Sequence, residues 1–298
     1  MTVRLLFLCL ILSASPLTQA ESHAVWFNSG MNNRDITFSP DGTIMLTSIV
    51  APKNLSAIIA ISYRRDGKWT ALEVAPFSGQ HADIEPSFSP DGKAIFFASK
   101  RPKPNREGAD WDIWQVDYHD GNWGEPVNPG SPVNTAENEF YPSTTLNGTL
   151  YFTSSRSDSL GNEDLYLARL TNGAYTEVLN IGAPVNSKAW EFNSFIAPDE
   201  SYLIFGSQGR EGEIGGGDLY ISYRKEGSFE PPQLLGRQIN TTRLDYCPSV
   251  HGGRLYFTSE LPARLDISSM TKLKSWYESA GNGLGDIYWV DFHDILSE

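Results

Sequence analysis

The chain has 298 residues, 23 of them basic and 36 acidic, for a formal net charge of −13, with 12% aromatic residues, 26 glycines and 18 prolines. A polyphosphate partner needs clustered Lys and Arg, so this charge argues against nucleic acid. No apolar stretch approaches the length needed to cross a bilayer, so no transmembrane anchor is expected.

In chain order, the first feature is a leader. Arg4 precedes an apolar run over residues 5–12, followed by Pro16 and a small-residue end, Thr18-Gln19-Ala20. That order predicts a secretory signal over residues 1–20, cleaved after Ala20, and a periplasmic or secreted protein. Its loss removes Arg4 and Cys9, leaving Cys247 as the sole cysteine. An intrachain disulfide is then impossible, and the apolar core must hold the fold by itself.

Residues 21–298 read as a single domain made of one unit repeated. "ITFSPDGTIMLTS" from Ile36 returns as "PSFSPDGKAIFFASKR" from Pro86, "PSTTLNGTLYFTSSR" from Pro142, "SFIAPDESYLIFGSQGR" from Ser194 and "PSVHGGRLYFTS" from Pro248. The units start near Asn33, Asp83, Glu139, Glu191 and Asp245, at intervals of 50, 56, 52 and 54 residues. Periods near fifty with short alternating runs mean stacked β-sheets.

Each unit holds four strands. A short first strand meets a tight turn, as at Asp91-Gly92, and a second, apolar strand follows. The third opens on an aspartate, at Asp112, Asp164, Asp218 and Asp286, with Ile58 in its place in the first unit. A turn such as "DGNW" at Asp120 leads to the fourth, and its aromatic residue is expected to pack between sheets.

Three fourth strands end in an aliphatic-Asn-Thr/Ser signature, at Val133-Asn134-Thr135, Val185-Asn186-Ser187 and Ile239-Asn240-Thr241, with an acid five residues after the Asn. Phe27-Asn28-Ser29 repeats this ending near the N-terminus although no complete unit precedes it, and the last unit stops after its third strand. The fold class expected is therefore all-β: a β-propeller of five four-stranded blades, closed by an N-terminal strand over residues 24–30 that completes the last blade. Blades are placed near 33–80, 81–135, 136–187, 188–241 and 242–298, and a sixth is the alternative if the long loop of the last unit hides strands.

These motifs, with the Gly-rich "GREGEIGGGDLY" from Gly209, resemble the WD40-like repeats called PD40, found in the propeller domain of TolB and in many exported proteins. The resemblance implies the fold and leaves the activity open, since that repeat serves binding domains and enzymes alike. TolB's additional N-terminal domain is not expected here, nor is the hydrolase domain of the prolyl-oligopeptidase-type enzymes that carry similar propellers.

In such a blade the second-to-third and fourth-to-first connections share one face. The acids Asp83, Glu139, Glu191 and Asp245 are expected to ring the channel mouth there, with Arg101, Arg156 and Arg210 following the second strands. The functional reading is a polar floor for a ligand. The alternative is ion pairing across blade junctions, Arg101 with Glu139, Arg156 with Glu191 and Arg210 with Asp245. Trp111, Tyr141, Trp190, Tyr246 and Trp276 are the stacking candidates.

Two loops break the repeat on this face. One, "SKRPKPNREGADW" from Ser99, gathers Lys100, Arg101, Lys103 and Arg106 and suits an anion. The other, residues 261–285, predicts a short amphipathic helix capped by Ser268 or Ser269 and stopped by Gly281, as a lid, a docking surface or a plug.

No G-x-S-x-G elbow, zinc-type histidine spacing or phosphate loop is present, so no catalytic residue, metal or cofactor is assigned. The function expected is binding or scaffolding, as a monomer, with a protein, peptide or carbohydrate at the channel mouth. A carbohydrate-active hydrolase or lyase at the same mouth is the alternative.

Overall fold

The computed structural model describes residues 23–103, 110–264 and 268–295. The expected leader, residues 1–20, lies outside them, as does Arg106. Among the described residues no helix is long and apolar enough to cross a membrane.

Five small antiparallel sheets form a ring, one per repeat unit, and so five blades rather than six. From the inside out, blade one has strands Asn32–Phe38, Ile44–Val50 and Ala57–Arg65, with two short outer pieces, Lys68–Trp69 and Glu73–Val74. Blade two has Asp83–Phe88, Ala94–Ser99, Asp112–His119 and Asn122–Trp123. Blade three has Glu139–Thr144, Leu150–Ser154, Asp164–Thr171 and Ala174–Asn180.

Blade four has Trp190–Ile196, Tyr202–Gln208 and Asp218–Lys225, with outer pieces Ser228–Phe229 and Gln233–Leu234. Blade five has Asp245–His251, Arg254–Ser259 and Asp286–Asp291, and its fourth strand is His23–Ala24 from the other end of the chain.

The apolar second strands explain the ring. Successive side chains of a strand point to opposite faces, so one strand feeds two junctions. Leu150 and Phe152 pack toward blade two with Phe96 and Ile113, whereas Tyr151 packs toward blade four with Leu203 and Phe205. Ile204 turns the other way, to Leu255 and Phe257 of blade five. Tyr256 then meets Met45 and Ile36 of blade one, and Ile44 and Leu46 meet Ile95 and Phe97 of blade two. Each junction thereby buries one apolar cluster that a single blade would leave wet.

The expected closure is present. His23 lies opposite Trp289 and Ala24 opposite Tyr288, and the Val25 amide donates to the Ile287 carbonyl at 3.1 Å. The Asn signature explains itself in the same place. Asn28 Nδ2 donates to the Ile287 carbonyl at 2.8 Å, and the Ile287 amide donates back to Asn28 Oδ1 at 3.0 Å. Asn134 does the same on Ile113, Asn186 on Leu165 and Asn240 on Leu219. One amide side chain thus extends the ladder where the backbone leaves the sheet.

The long loop of blade five carries the helix Met270–Tyr277, capped by the Ser269 hydroxyl, which accepts from the Lys272 amide at 3.2 Å. It ends at Tyr277, short of Gly281, and buries none of its side chains. The turn after it rests on the N-terminal segment. Asn282 Nδ2 donates to the Gly30 carbonyl at 3.1 Å, and a Cβ on Gly30 would stand 2.7 Å from the Tyr277 carbonyl oxygen.

Candidate functional site at the channel mouth

The repeated acids open their inner strands but do not face the channel. Each sits in a row across its own blade: Asp83 with Ser99 and Asp112, Glu139 with Ser154 and Asp164, Glu191 with Ser207 and Asp218, Asp245 with Ser259 and Asp286. All four are fully buried. Their oxygens hold the fourth-to-first turn: Thr135 Oγ1 donates to Glu139 at 2.6 Å, Ser187 Oγ to Glu191 at 2.7 Å, Thr241 Oγ1 to Asp245 at 2.8 Å and Ser78 Oγ to Asp83 at 2.7 Å.

The arginines pair with the acid of their own blade and not across the junction. Arg101 lies 3.2 Å from Asp83, Arg156 3.7 Å from Glu139 and Arg210 2.7 Å from Glu191. Each also donates to a carbonyl at the end of the preceding blade, Phe77, Val133 and Val185 respectively. The physical reason is reach: an arginine two or three residues past the second strand folds back over its own sheet, between aromatic rings such as Phe152 and Tyr166. Blade five has Leu261 two residues past Ser259 and no such arginine, and burial pushes the Asp245 carboxyl up to about 6. Within the basic loop Lys103 is neutralised, its Nζ 2.6 Å from Asp110 and 2.5 Å from Asp112.

What faces the channel is the next two residues of each inner strand. Every inner strand carries a register shift just past the acid, or past Asn33 in blade one. The residue two positions on takes a left-handed backbone: Asp35 at φ 56°, Glu85 at 61°, Tyr141 at 47°, Asn193 at 47° and Cys247 at 55°. Such bulges re-aim side chains, and a non-glycine residue held there costs on the order of 1–3 kcal/mol.

These five form a polar layer across the channel, centred on Arg34. Arg34 Nε donates to Asp35 at 2.9 and 3.1 Å, and Nη2 donates to Glu85 at 2.8 Å and to Cys247 Sγ at 3.4 Å. The Tyr141 amide donates to Glu85 Oε2 at 2.7 Å, Asn193 Nδ2 to Oε1 at 3.3 Å, and the Tyr141 hydroxyl to the Pro248 carbonyl at 2.9 Å. Burial pushes the Glu85 carboxyl up to about 7 against the pull of Arg34.

Above the layer, on the loop face, opens a cavity of 490 Å³. The residues directly after Asn33 and the four acids line it: Arg34, Ile84, Phe140, Phe192 and Tyr246. The second-to-third loops add Trp111 and Glu163, and Trp190 and Lys100 complete the rim. Trp190 and Phe192 meet edge to face at 6.3 Å, Trp111 and Phe140 lie 6.0 Å apart, and the Arg34 guanidinium stacks 5.0 Å from the Tyr246 ring. Burial raises the Glu163 carboxyl above its usual range, and a hydrogen bond from the Trp190 side chain partly offsets this. A smaller pocket of 230 Å³ lies beyond the layer at the other end, and Glu85 borders both.

Of the residues expected at the site, Trp111, Trp190 and Tyr246 line this cavity, Tyr141 lies beneath it in the layer, and the acids and arginines at 83, 101, 139, 156, 191, 210 and 245 lie outside its lining, as does Trp276. Arg34, Asp35, Glu85, Glu163 and Asn193 escaped the sequence reading. The signal for most of them was present: they occupy the two positions after each repeated acid, or after Asn33 in blade one, where the units differ from one another. Among the described residues no group of three or more His, Cys, Asp or Glu side chains is placed to hold a metal ion.

No protein-family model matches the chain, and no curated protein matches it in sequence. The five sheets define the class, a five-bladed β-propeller, and solved structures share the fold. The catalytic domain of an α-L-arabinofuranosidase from Coprinopsis cinerea superposes with a TM-score of 0.51 at 11% identity, covering 91% of this chain and 95% of that one. The Bacillus subtilis arabinanase superposes at 0.50 with 14% identity, over 87% and 93%. A Mycobacterium tuberculosis puromycin-hydrolysing peptidase gives 0.44 at 13% identity over 76% of this chain, which spans only 34% of that protein's length.

Proposed function

We propose that the protein binds a neutral sugar residue of a glycan in the channel-mouth cavity. The observation that carries this is the cavity's make-up: aromatic rings on several sides above an arginine fixed in place. Flat rings stack on the C–H faces of a sugar, and a few oriented polar groups take its hydroxyls. Arg34 suits that work because Asp35 and Glu85 hold it rigid and cancel its charge, which favours a neutral ligand over an anion. As part of the same proposal the protein is exported, on the leader at residues 1–20, and belongs with the PD40-type propellers that its repeats resemble.

Titrating the protein with a panel of neutral oligosaccharides, read by tryptophan fluorescence and calorimetry, tests the proposal. Saturable binding is expected, weakened about tenfold or more in Trp190→Ala, since a stacked ring contributes roughly 1–3 kcal/mol. Saturable binding with no loss in Trp190→Ala would place the ligand elsewhere.

A second reading has its own observation. Glu85 and Glu163 share this cavity, both with carboxyls raised by burial, and glycoside hydrolysis uses two carboxyl groups, one kept protonated near neutral pH. Glu163 is the better general acid, because Glu85's oxygens are already taken by Arg34, Asn193 and the Tyr141 amide. The arabinofuranosidase and arabinanase share the ring and bear on the fold alone. Release of reducing ends that Glu163→Gln abolishes, with binding retained, would select hydrolysis over binding.

A further inference from the structure

We propose that the groove at the seam between blades five and one is a second binding site, which takes a carboxylate-bearing sugar of an acidic oligosaccharide. It lies on the face opposite the channel-mouth cavity, beside the hairpin turns at Gly42 and Gly252, and encloses 450 Å³.

It lies where the ring closes, with residues 24–27 and blade one's outer strand in its lining. At the junction of blades one and two, Trp123 of the outer strand fills the rim against Phe77, with ring centroids 5.2 Å apart. At the seam the equivalent ring is Trp69 of blade one's outer strand, which packs on the cluster of Phe27, Ile36 and Tyr256 and leaves a groove beside it. Trp69 and Trp26 line the groove, Trp26 with 55% exposure, while the Trp289 ring beside them is already stacked on by His23 at 4.4 Å and by Arg254. Indole faces of this kind suit sugar rings.

Two arginines make the groove selective. Arg64 lies directly opposite Trp69 in the blade-one hairpin, and Arg254 stacks 3.7 Å from the centroid of Trp289 in blade five. Arg34, Arg101, Arg156, Arg169, Arg210 and Arg224 each pair with a carboxylate. Neither Arg64 nor Arg254 has a carboxylate within ion-pair distance among the described residues, although the chain carries an excess of acids.

The nearby acids are otherwise placed. Asp41 is held in its own turn by Ser39 and Thr43, and Asp291, across the ladder from Arg254, stays exposed without closing on it. His251 stacks on Phe38 at 4.7 Å, and its burial lowers its pKa, so it adds no charge at neutral pH. Two exposed guanidiniums without a carboxylate partner at one groove, Arg254 stacked on Trp289 and Arg64 across the hairpin from Trp69, make an anion clamp, and planar guanidinium matches carboxylate bidentately. The contrast with the channel mouth is direct, because there Arg34 is neutralised from within.

Calorimetry with tri-galacturonate and with its neutral methyl ester tests the proposal, using wild type, Arg64→Ala/Arg254→Ala and Trp190→Ala. Both arginines are exposed, so the double variant is expected to keep the wild-type Tm. The expected result is binding of the acid and not of the ester, weakened by added salt, reduced about tenfold or more in the double variant and unchanged in Trp190→Ala. Equal binding of the ester, full affinity in the double variant, loss in Trp190→Ala, or no binding at all would each overturn it. Because Trp190→Ala reports on the channel mouth alone, failure of this proposal is distinguishable from failure of the first.

Discussion

Glu85 sits under Arg34 with almost no exposure, and its carboxyl is pushed up to about 7. In the unfolded chain the same group titrates near the ordinary glutamate value of 4.5. Between those values the fold holds a proton that the unfolded chain releases, so stability is greatest below about 4.5 and falls as pH rises through about 7. Asp245, raised to about 6, adds the same sign over a lower window. Wild type is expected to lose about 1–3 kcal/mol of unfolding free energy to Glu85 between pH 5 and 7.5. Urea titrations at both values should show a smaller loss in Glu85→Gln, and an identical loss in the two proteins would contradict this reading.

Arg210 belongs to a different class of residue. Its removal leaves Glu191 buried without its cation, which costs about 3 kcal/mol. Urea unfolding of Arg210→Ala should show that loss, while glycan affinity should stay at wild type once the folded fraction is accounted for. An affinity loss with unchanged stability would return Arg210 to the site.

At the scale of elements, the closing strand depends on one side chain. Asn28 exchanges two hydrogen bonds with Ile287, so Asn28→Ala is expected to cost about 1–3 kcal/mol and to speed hydrogen exchange at the Ile287 amide. Unchanged protection of that amide would mean that the short strand closes the blade without it. The strands were legible in the sequence because period-2 runs such as Leu150-Tyr151-Phe152 must serve two faces, and the Asn signature at residue 28 announced the closure. The helix in blade five was legible from its cap and apolar spacing, but not its position. Its resting place depends on the close approach of Gly30 to the Tyr277 carbonyl, between residues far apart in sequence.

At the scale of the molecule, the five-fold repeat explains both what was readable and what was hidden. Residues that recur from unit to unit, the acids of four blades, the arginines of three and the four copies of the Asn signature, recur because these junctions need the same turn held and the same ladder extended. The residues facing the channel differ from blade to blade: Arg34-Asp35, Ile84-Glu85, Phe140-Tyr141, Phe192-Asn193 and Tyr246-Cys247. A bulge of one residue turns these pairs toward the axis, and alternation alone places them wrongly, because a slip of one residue exchanges the faces of a strand. In a ring of repeats, regularity marks the scaffold and departures from it mark the site.

The most direct measurement is a crystal structure with the tightest neutral oligosaccharide from the titrations. Density for a sugar ring against Trp190, with a hydroxyl within hydrogen-bond distance of Arg34, is the predicted result. Density confined to the outer rim, with the channel-mouth cavity holding only water, would contradict the account.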